Sequence, residues 1–286
     1  MPREISRVGV VGLGTMGAGI AQVCVQAGLE VVGREVGEDL CQRARERIAH
    51  YLGRGVEKGR LTAEEKEAAL SRLTTTTDLA GLAGCDLVVE AIVEELDAKR
   101  ELFRELEGVV GPDAVLATNT SALSVTEIAD DTERPERVVG LHFFNPAPVL
   151  PLVEVVRAER SAEDAVETAV AFAERVGKVP VRCDDTPGFV VNRILIPLLN
   201  DCVRVLDEAG VTPEDLDKAM TNGVNWPIGP CALIDLIGVD VHVHASEALH
   251  AALGEERMAP PQRLVRMRDE GLLGRKTGRG FFDYER

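Results

Sequence analysis

Long apolar runs are missing from the 286-residue sequence, and so is any segment that resembles a secretion signal. No stretch approaches the roughly 18 uninterrupted apolar residues that a membrane-spanning helix requires. The N-terminal residues, MPREISRVGVVGLG, contain no apolar segment of secretory length and no small-residue cleavage site. These absences predict a cytoplasmic protein that does not enter a membrane.

Closely spaced cysteines are also absent. No two of the six have C-x-x-C spacing, so we expect neither a metal site nor a redox pair. A disulfide framework is not expected in a chain of this length. Most of the cysteines should therefore be small core residues; they are Cys24, Cys41, Cys85, Cys183, Cys202 and Cys231.

Basic residues are outnumbered by acidic ones, with 32 Lys and Arg against 48 Asp and Glu and a formal net charge of −16. Nucleic acids and anionic membrane surfaces reward clustered positive charge, so neither is an expected partner. A hydrophobic content of 45% is ordinary for a globular protein, and the length favours two domains.

A glycine-rich segment follows the first apolar run. Val8 to Val11 reads as a short buried strand, and residues 18–26 are compatible with a helix. Between them stands G-x-G-x-x-G, an order typical of dinucleotide sites in which N–H groups at a helix N-terminus face a pyrophosphate. The predicted cofactor-binding loop consists of Gly12, Leu13, Gly14, Thr15, Met16 and Gly17.

Glu35 stands at the end of the second predicted strand, 18 residues after Gly17. A carboxylate there can accept hydrogen bonds from the adenosine ribose and repels a 2′-phosphate, which favours NAD over NADP. Arg34 could instead pair with that phosphate, so the sequence leaves NADP open.

Strand and helix patterns then alternate along the chain. Strands are expected at 29–32, 73–77, 86–91, 114–118, 137–144 and 152–156, with helices that include 96–110 and 125–129. This alternation predicts an α/β fold with a Rossmann-like doubly wound sheet over residues 1–185. Ligands bind such sheets beyond the carboxyl ends of the strands, where we expect Glu94, Asn119, Ser121 and His142.

His142 lies in the segment LHFFNPAPVLPLVEV, residues 141–155. A return strand over 152–156 can bring Glu154 beside it, and a carboxylate on one ring nitrogen fixes the tautomer and stabilises the imidazolium. The other nitrogen is then available to take a proton from a substrate hydroxyl. A buried histidine satisfied by a glutamate, with no catalytic role, is the alternative interpretation.

Six longer motifs give the chain a resemblance to a known enzyme family. They are GLGTMGAGIA (12–21), DLVVEAIVEELDAKRELF (86–103), ATNTSALSV (117–125), GLHFFNP (140–146), DTPGFVVNR (185–193) and GRKTGRGFFDY (274–284). Together they resemble the L-3-hydroxyacyl-CoA dehydrogenases, of the short bacterial 3-hydroxybutyryl-CoA dehydrogenase type, nearly end to end. The resemblance implies reversible, NAD-dependent oxidation of an (S)-3-hydroxyacyl-CoA to the 3-oxoacyl-CoA.

The same resemblance implies roles for matching residues. His142 corresponds to the catalytic base and Glu154 to its partner, while Ser121 and Asn192 correspond to residues that hold the base and the substrate's C3 oxygen. Asn192 could alternatively cap a helix. The implied cofactor contacts are Glu94, Lys99, Asn119, Ser121, Asn145 and Lys276, and Ser121 would lie near both ligands.

One basic stripe interrupts the acidic sequence. At 100° per residue, four side chains between positions 41 and 60 fall within about 60° of one another; they are Arg43, Arg47, Arg54 and Lys58. The stripe could be a solvated helix face or could bind the phosphates of CoA. The resemblance supports the second interpretation at Lys58 and geometry alone supports Arg54, whereas Tyr51 stands where the family often has a small hydroxyl residue.

After Pro187 the strand signals fade, and helices are expected at 189–208, 213–220, 233–253 and 261–270. Residues 186–286 are therefore predicted to form an all-α domain. Its apolar faces favour a homodimer, which the resemblance also implies, although the same faces could form an internal core. His242, His244 and His250 are expected at the surface.

Three other protein classes share features with this sequence. The 3-hydroxyisobutyrate and 6-phosphogluconate dehydrogenases open with a similar glycine loop but use a lysine in a G-x-x-x-N-x-x-K run, which this sequence lacks. The same chemistry on a substrate bound to an acyl carrier protein remains open. So does a non-catalytic NADH-binding protein, although the presence of Ser121, His142, Glu154 and Asn192 argues against it.

Overall fold

Eight strands form one sheet in the first part of the chain. The computed structural model describes residues 3–284. Its strands are Arg7–Val11 (β1), Glu30–Arg34 (β2), Leu73–Thr76 (β3), Leu87–Glu90 (β4), Val115–Thr118 (β5), Val138–Phe143 (β6), Leu152–Arg157 (β7) and Val179–Asp184 (β8). They lie in the order β3-β2-β1-β4-β5-β6-β7-β8. β1 to β6 are parallel, β7 is antiparallel to β6, and β8 is parallel to β7.

Helices connect most of these strands: Thr15–Gln26 (α1), Glu38–Glu57 (α2), Ala63–Ser71 (α3), Leu96–Glu107 (α4), Val125–Ala129 (α5) and Glu163–Arg175 (α6). Every residue of β4, β5 and β6 is buried, as expected for parallel strands with both faces covered. The strand order reverses beside β1, which is the topology of a doubly wound dinucleotide-binding sheet. The predicted fold class is confirmed.

Strand β8 was not predicted from the sequence. It reads VPVRCD, in which a proline and two charged residues interrupt the apolar pattern. Proline is tolerated on an edge strand because one side of that strand makes no ladder hydrogen bonds. β8 lies at one edge of the sheet and four of its six residues are exposed, so its sequence carries little hydrophobic signal.

Two glycines of α2 lie close to α3 and to the loop that precedes it. A Cβ on Gly53 would lie 3.3 Å from Lys66 Nζ, and one on Gly55 would lie 3.0 Å from the side chain of Leu61. Glycine weakens an isolated helix, yet α2 continues through both positions, and a larger residue at Gly55 would press on Leu61.

The chain divides after Thr186 into a second unit, which is helical. Its helices are Val191–Ala209 (α7), Pro213–Gly223 (α8), Pro230–Ile237 (α9), Val239–Leu253 (α10) and Gln262–Asp269 (α11). The all-α character predicted for this region is confirmed. Within residues 3–284, no helix combines the length and apolar character needed to cross a membrane.

The single helix predicted over 233–253 is wrong in one respect. The structure divides it into α9 and α10 at Gly238, whose φ of 105° ends one helix and begins the next. Non-glycine residues rarely adopt this conformation. Leucines and valines on both sides of the break have helical spacing, so periodicity alone could not locate it.

Asp235, at the end of α9, holds the C-terminal segment of the second unit. This buried carboxylate accepts hydrogen bonds from the N–H groups of Phe281 and Phe282 and from the Tyr284 hydroxyl, each 3.0 Å long. A Cβ on Gly280 would lie 2.1 Å from the same carboxylate. The glycine is therefore required for this close approach.

His242 is buried, so its expected position at the surface is wrong. Its Nε2 lies 2.9 Å from Asn200 Oδ1, and Asn200 Nδ2 donates to the carbonyl of Met258 (3.1 Å). The buried Nδ1 of His242 has no hydrogen-bond partner among residues 3–284. Burial lowers the pKa of His242 to about 4. His244 is exposed and His250 is half-buried, so only His242 belongs to the core.

We predict that protonation of His242 makes the protein less stable in acid. The unfolded imidazole binds a proton near pH 6.5 and the folded one only near pH 4, so the free energy of unfolding falls as the pH drops through this range. The loss between pH 7 and pH 4 should be about 3 kcal/mol. Denaturant unfolding of the wild type and His242→Gln across this range checks it. His244→Gln, on the exposed side of α10, is the control. An equal pH slope in the wild type and His242→Gln would contradict the prediction.

Candidate active site

The glycine loop between β1 and α1 has the close contacts that its spacing predicts. Gly12 has a φ of 84°, and a Cβ there would lie 2.7 Å from the carbonyl oxygen of Ala91. A Cβ on Gly17 would lie 1.8 Å from the carbonyl oxygen of Gly12. Both positions therefore need glycine for steric reasons.

The space in front of this loop suits a pyrophosphate. A Cβ on Gly14 would meet no atom within 4 Å. Gly14 is also the N-cap of α1, and the first turn of the helix has neither a capping side chain nor an acidic residue. The N–H groups and partial positive charge of the helix N-terminus thus face an open space, as an anion site requires.

Glu35 is fixed beside the same loop. Its Oε1 accepts a hydrogen bond from the N–H of Leu13 (2.6 Å), and its Oε2 accepts one from the N–H of Val36 (3.1 Å). Glu35 follows directly after β2, at the carboxyl end of the sheet. The loop and this carboxylate therefore fit the pyrophosphate and the adenosine ribose of NAD.

His142 and Glu154 form a direct pair across β6 and β7. The antiparallel register places the two residues opposite each other, and His142 Nδ1 lies 2.7 Å from Glu154 Oε2. Both side chains are buried, and the ring of Phe144 packs against the imidazole at 4.5 Å. The turn between the strands explains why residues 12 positions apart meet.

The connection between β6 and β7 packs on α1, the helix that begins at the glycine loop. A Cβ on Gly19 of α1 would lie 3.2 Å from both Ala147 and Pro148. Beneath this connection, the ammonium of Lys178 donates to the carbonyls of Ala147 (2.5 Å) and Leu150 (2.8 Å). These contacts bring the end of the His142 strand next to α1.

A buried acid–base cluster lies at the carboxyl ends of β4 and β5. Lys99 Nζ lies 2.5 Å from Glu90 Oε1 and 3.3 Å from Glu94 Oε2. Glu90 Oε2 accepts a hydrogen bond from the hydroxyl of Thr118 (2.7 Å). Sequence reasoning selected Glu94 and Lys99 but missed Glu90. The sequence feature that could have identified Glu90 is a carboxylate at the end of the otherwise apolar strand LVVE.

Glu94 joins this cluster to the loop that carries Ser121. Its Oε1 accepts hydrogen bonds from the Thr120 hydroxyl (2.6 Å), the Ser121 N–H (2.8 Å) and the Ser121 hydroxyl (3.3 Å). Burial tends to raise the pKa of Glu94, but Lys99 and these hydrogen bonds outweigh it, and the pKa lies below its ordinary value. Glu94 is therefore a carboxylate near neutral pH.

Two asparagines occupy the same edge of the sheet. Asn119 follows β5, and its Oδ1 accepts a hydrogen bond from the N–H of Phe143 (2.9 Å), the residue after His142. Asn145 is exposed and is joined to Pro146 by a cis peptide bond. Asn119 thus links the end of β5 to the strand that carries the imidazole.

Two of the predicted site residues belong to the second unit. Asn192 lies in the first turn of α7, after a tight bend at Gly188 (φ 77°) and Phe189 (φ 49°); the N-cap residue is Val190. Lys276 lies in a short 3-10 turn and pairs with Asp240 at 2.5 Å.

The basic stripe is exposed on α2 and at its C-terminal end. Arg43, Arg47, Arg54 and Lys58 are all exposed, while the opposite face of the helix is buried through Cys41, Ala44, Ile48 and Leu52. Arg43 is paired with Asp39 on the same helix.

Comparisons with known proteins agree with this arrangement. The NAD binding domain of 3-hydroxyacyl-CoA dehydrogenase matches residues 7–186, and the C-terminal domain of the same enzyme matches residues 188–284. The chain is 46% identical over 286 residues to 3-hydroxybutyryl-CoA dehydrogenase from Mycobacterium tuberculosis, covering 99% of this chain and 100% of that one. It is 41% identical over 282 residues to the probable 3-hydroxybutyryl-CoA dehydrogenase of Bacillus subtilis, covering 99% and 98%.

A solved structure gives the same result. The crystal structure of (S)-3-hydroxybutyryl-CoA dehydrogenase from Ralstonia eutropha superimposes with a TM-score of 0.95 at 39% identity, covering 99% of this chain and 100% of that one. With both family domains matched in order, and with a glycine loop and a neighbouring carboxylate that fit the cofactor, the chain belongs to the 3-hydroxyacyl-CoA dehydrogenase family and is an NAD-dependent oxidoreductase.

Proposed function

We propose that this enzyme catalyses the reversible oxidation of a short-chain (S)-3-hydroxyacyl-CoA, such as 3-hydroxybutyryl-CoA, to the 3-oxoacyl-CoA. The observation that carries the proposal is the buried pair of His142 Nδ1 and Glu154 Oε2, 2.7 Å apart, at the edge of an NAD-binding sheet. The substrates named for the relatives from Mycobacterium tuberculosis and Ralstonia eutropha support the choice of acyl group.

In the proposed mechanism His142 is the general base. Glu154 accepts the hydrogen bond from Nδ1–H, which leaves Nε2 as the nitrogen that takes the proton from the C3 hydroxyl. The positive charge that forms on the ring is stabilised by the carboxylate 2.7 Å away. Bound NAD supplies the hydride acceptor. In the reductive direction His142 returns the proton to the C3 oxygen.

Ser121 and Asn192 are proposed to hold the C3 oxygen and the base. A hydroxyl or amide N–H aimed at that oxygen stabilises the negative charge that develops during carbonyl reduction. The hydrogen bond from the Ser121 N–H to Glu94 supports this role, because it fixes the loop on which the serine lies.

The proposed NAD-binding set extends from the glycine loop to the nicotinamide end. Its members are Gly12, Leu13, Gly14, Thr15, Met16, Gly17, Glu35, Glu94, Lys99, Asn119, Ser121, Asn145 and Lys276. We assign NAD binding to residues 1–185, and we assign substrate binding and dimerisation to residues 186–286. Limited proteolysis that separates the two parts, followed by NADH binding to the N-terminal fragment, would test this division. We also propose a cytoplasmic location, which cell fractionation would check.

We predict that His142→Gln lowers kcat by about 100-fold or more, since general-base catalysis contributes about that much. NADH binding, followed by fluorescence, should persist because the glycine loop is intact. The assay is NADH consumption with acetoacetyl-CoA. A parallel assay uses the acetoacetyl group bound to an acyl carrier protein. Turnover of that substrate alone would favour the alternative in which the enzyme acts on carrier-bound acyl groups.

His244→Gln, an exposed histidine of the second unit, serves as the control and should keep full activity. Normal turnover by His142→Gln would show that the imidazole is a buried core group with no catalytic role. A wild type that binds NADH but reduces neither substrate would favour the non-catalytic alternative.

We predict that Arg54 and Lys58 bind CoA phosphates. Their joint replacement by Ala should raise KM for acetoacetyl-CoA by about fivefold or more, because each lost charge contact costs up to about 1 kcal/mol. The value of kcat should change little, since neither residue is proposed to touch the reacting carbon. Steady-state kinetics with acetoacetyl-pantetheine, which lacks the nucleotide phosphates, is the control and should give equal KM values for both proteins. An unchanged KM for the CoA substrate would show that the stripe is only a solvated face.

We predict a homodimer formed through the second unit. Ile194, Leu198 and Val205 lie within about 40° of one another on α7 and are 62%, 36% and 47% exposed. Exposed apolar side chains in a stripe are typical of a subunit interface. Sedimentation velocity should give a dimer for the wild type and a monomer for Ile194→Asp/Val205→Asp. Val36→Asp, at a 73% exposed valine of the first unit, should remain dimeric. A monomeric wild type would contradict this prediction.

A further inference from the structure

Side chains hold the loop that carries Ser121. This loop spans residues 119–124, between the end of β5 and the start of α5. The Ser121 N–H donates to the Glu94 carboxylate (2.8 Å), and the Leu123 N–H donates to the Thr120 hydroxyl (2.9 Å). The position of Ser121 therefore depends on side-chain acceptors and not on the strand ladder.

A second carboxylate, that of Asp185, holds the other end of the loop. Its Oδ2 accepts hydrogen bonds from the Ser124 hydroxyl (2.7 Å) and from the Thr126 N–H (2.8 Å). Ser124 is the N-cap of α5, and its hydroxyl oxygen accepts a hydrogen bond from the Glu127 N–H (3.2 Å). One oxygen atom, 61 positions farther along the chain than Ser124, thus joins the end of the loop to the first turn of α5.

The sheet in turn holds Asp185. This residue follows directly after β8, and its N–H donates to the carbonyl of Arg157 at the end of β7 (2.9 Å). The Glu159 N–H, from the segment that follows β7, donates to the Thr126 hydroxyl (3.1 Å). The acceptor oxygen therefore belongs to a residue whose backbone the strand ladder fixes, which is the support that a precisely placed loop needs.

We propose that Asp185 is a positioning residue, which acts on the reaction by holding the loop that carries Ser121. Glu94 holds this loop at Ser121 itself and Asp185 holds it at Ser124, so the serine lies in a segment with two fixed points. A displacement of about 1 Å in a group that must meet one reacting atom can cost about 100-fold in rate. The inference rests on the proposed function of Ser121 in holding the C3 oxygen.

A double-mutant cycle with Ser121 tests the proposal. Asp185→Ala removes the acceptor, so kcat for acetoacetyl-CoA should fall by about tenfold. In the Ser121→Ala background the same change should lower kcat by less than about twofold, because the group that Asp185 positions is already gone. Asp185→Asn keeps an oxygen that can accept both hydrogen bonds, and its kcat should lie within about twofold of wild type.

The cycle separates this role from a purely structural one. If Asp185 only stabilised the fold, or acted through the segment that leads into the second unit, its effect on kcat would add to that of Ser121→Ala. If the hydrogen bonds to Oδ2 were unimportant, Asp185→Asn and Asp185→Ala would lose kcat equally. Either result would overturn the proposal. Asp184→Ala, which removes the exposed carboxylate one position earlier, is the matched control and should behave as wild type.

Hydrogen exchange supplies a second readout, which does not depend on turnover. In Asp185→Ala, amides in a peptide covering residues 120–127 should exchange about fivefold faster than in the wild type, since each lost hydrogen bond favours local opening by about this factor. Ser124→Ala removes the bridging hydroxyl and should also raise exchange and lower kcat, which keeps the proposal testable if Asp185→Ala does not fold. Unchanged exchange in these variants would overturn the proposal.

Failure of the proposed function would give a different result. In that case the wild type itself would not reduce acetoacetyl-CoA, and the catalytic role of Asp185 would be overturned with it. The faster exchange in Asp185→Ala would persist, because the hydrogen bonds from Ser124 and Thr126 exist whatever the substrate is. A wild type that reduces acetoacetyl-CoA as well as Asp185→Ala does would overturn the role of Asp185 alone.

Discussion

The antiparallel pairing of β6 and β7 is the constraint on which the site depends. In an otherwise parallel sheet, only an antiparallel neighbour with a short connection can place residue 154 directly opposite residue 142. Because side chains alternate between the faces of a strand, a shift of one residue in this register would turn Glu154 to the opposite face from His142. The connection is held by Lys178 from below and packs on Gly19 of α1. The same contacts therefore support this register and hold the connection against α1.

Buried charge is concentrated at two places in the sheet. One is beside β1 and β4, where the strand order reverses, and the other is at β6 and β7, where neighbouring strands are antiparallel. Glu90, Lys99 and Glu154 are all less than 2% exposed, and each would be costly to bury alone. Each is offset by a specific partner within the first unit: Lys99 for Glu90 and His142 for Glu154. Such groups contribute little net stability, since their desolvation cancels much of their attraction. They fix the orientation of the side chains, because a buried pair has few alternative geometries.

The sequence predicted the parts of this site that depend on local patterns. The glycine loop, Glu35 and the His142–Glu154 segment are short motifs beside strands, where spacing in the chain determines spacing in the fold. The unpredicted features depend on distant partners. His242 is buried because Asn200, 42 positions away, accepts its hydrogen bond. Strand β8 forms because β7 offers a free edge, and the buried role of Glu90 requires Lys99 from the next helix.

In an acidic protein that binds an anionic coenzyme, the charge close to the binding site can differ in sign from the net charge of the chain. At physiological ionic strength, charges farther than about 8 Å away are largely screened, so the overall −16 acts weakly on any one phosphate. The field at a binding site is set by the groups that line it. For NAD these groups are those of the uncapped N-terminus of α1, whose first turn has no acidic residue. For CoA we propose the exposed arginines and lysine on α2 and at its C-terminal end, beside which Asp39 and Glu57 also lie. The surplus of acids elsewhere therefore acts weakly at these sites, where local amide and side-chain donors would supply the attraction for each phosphate.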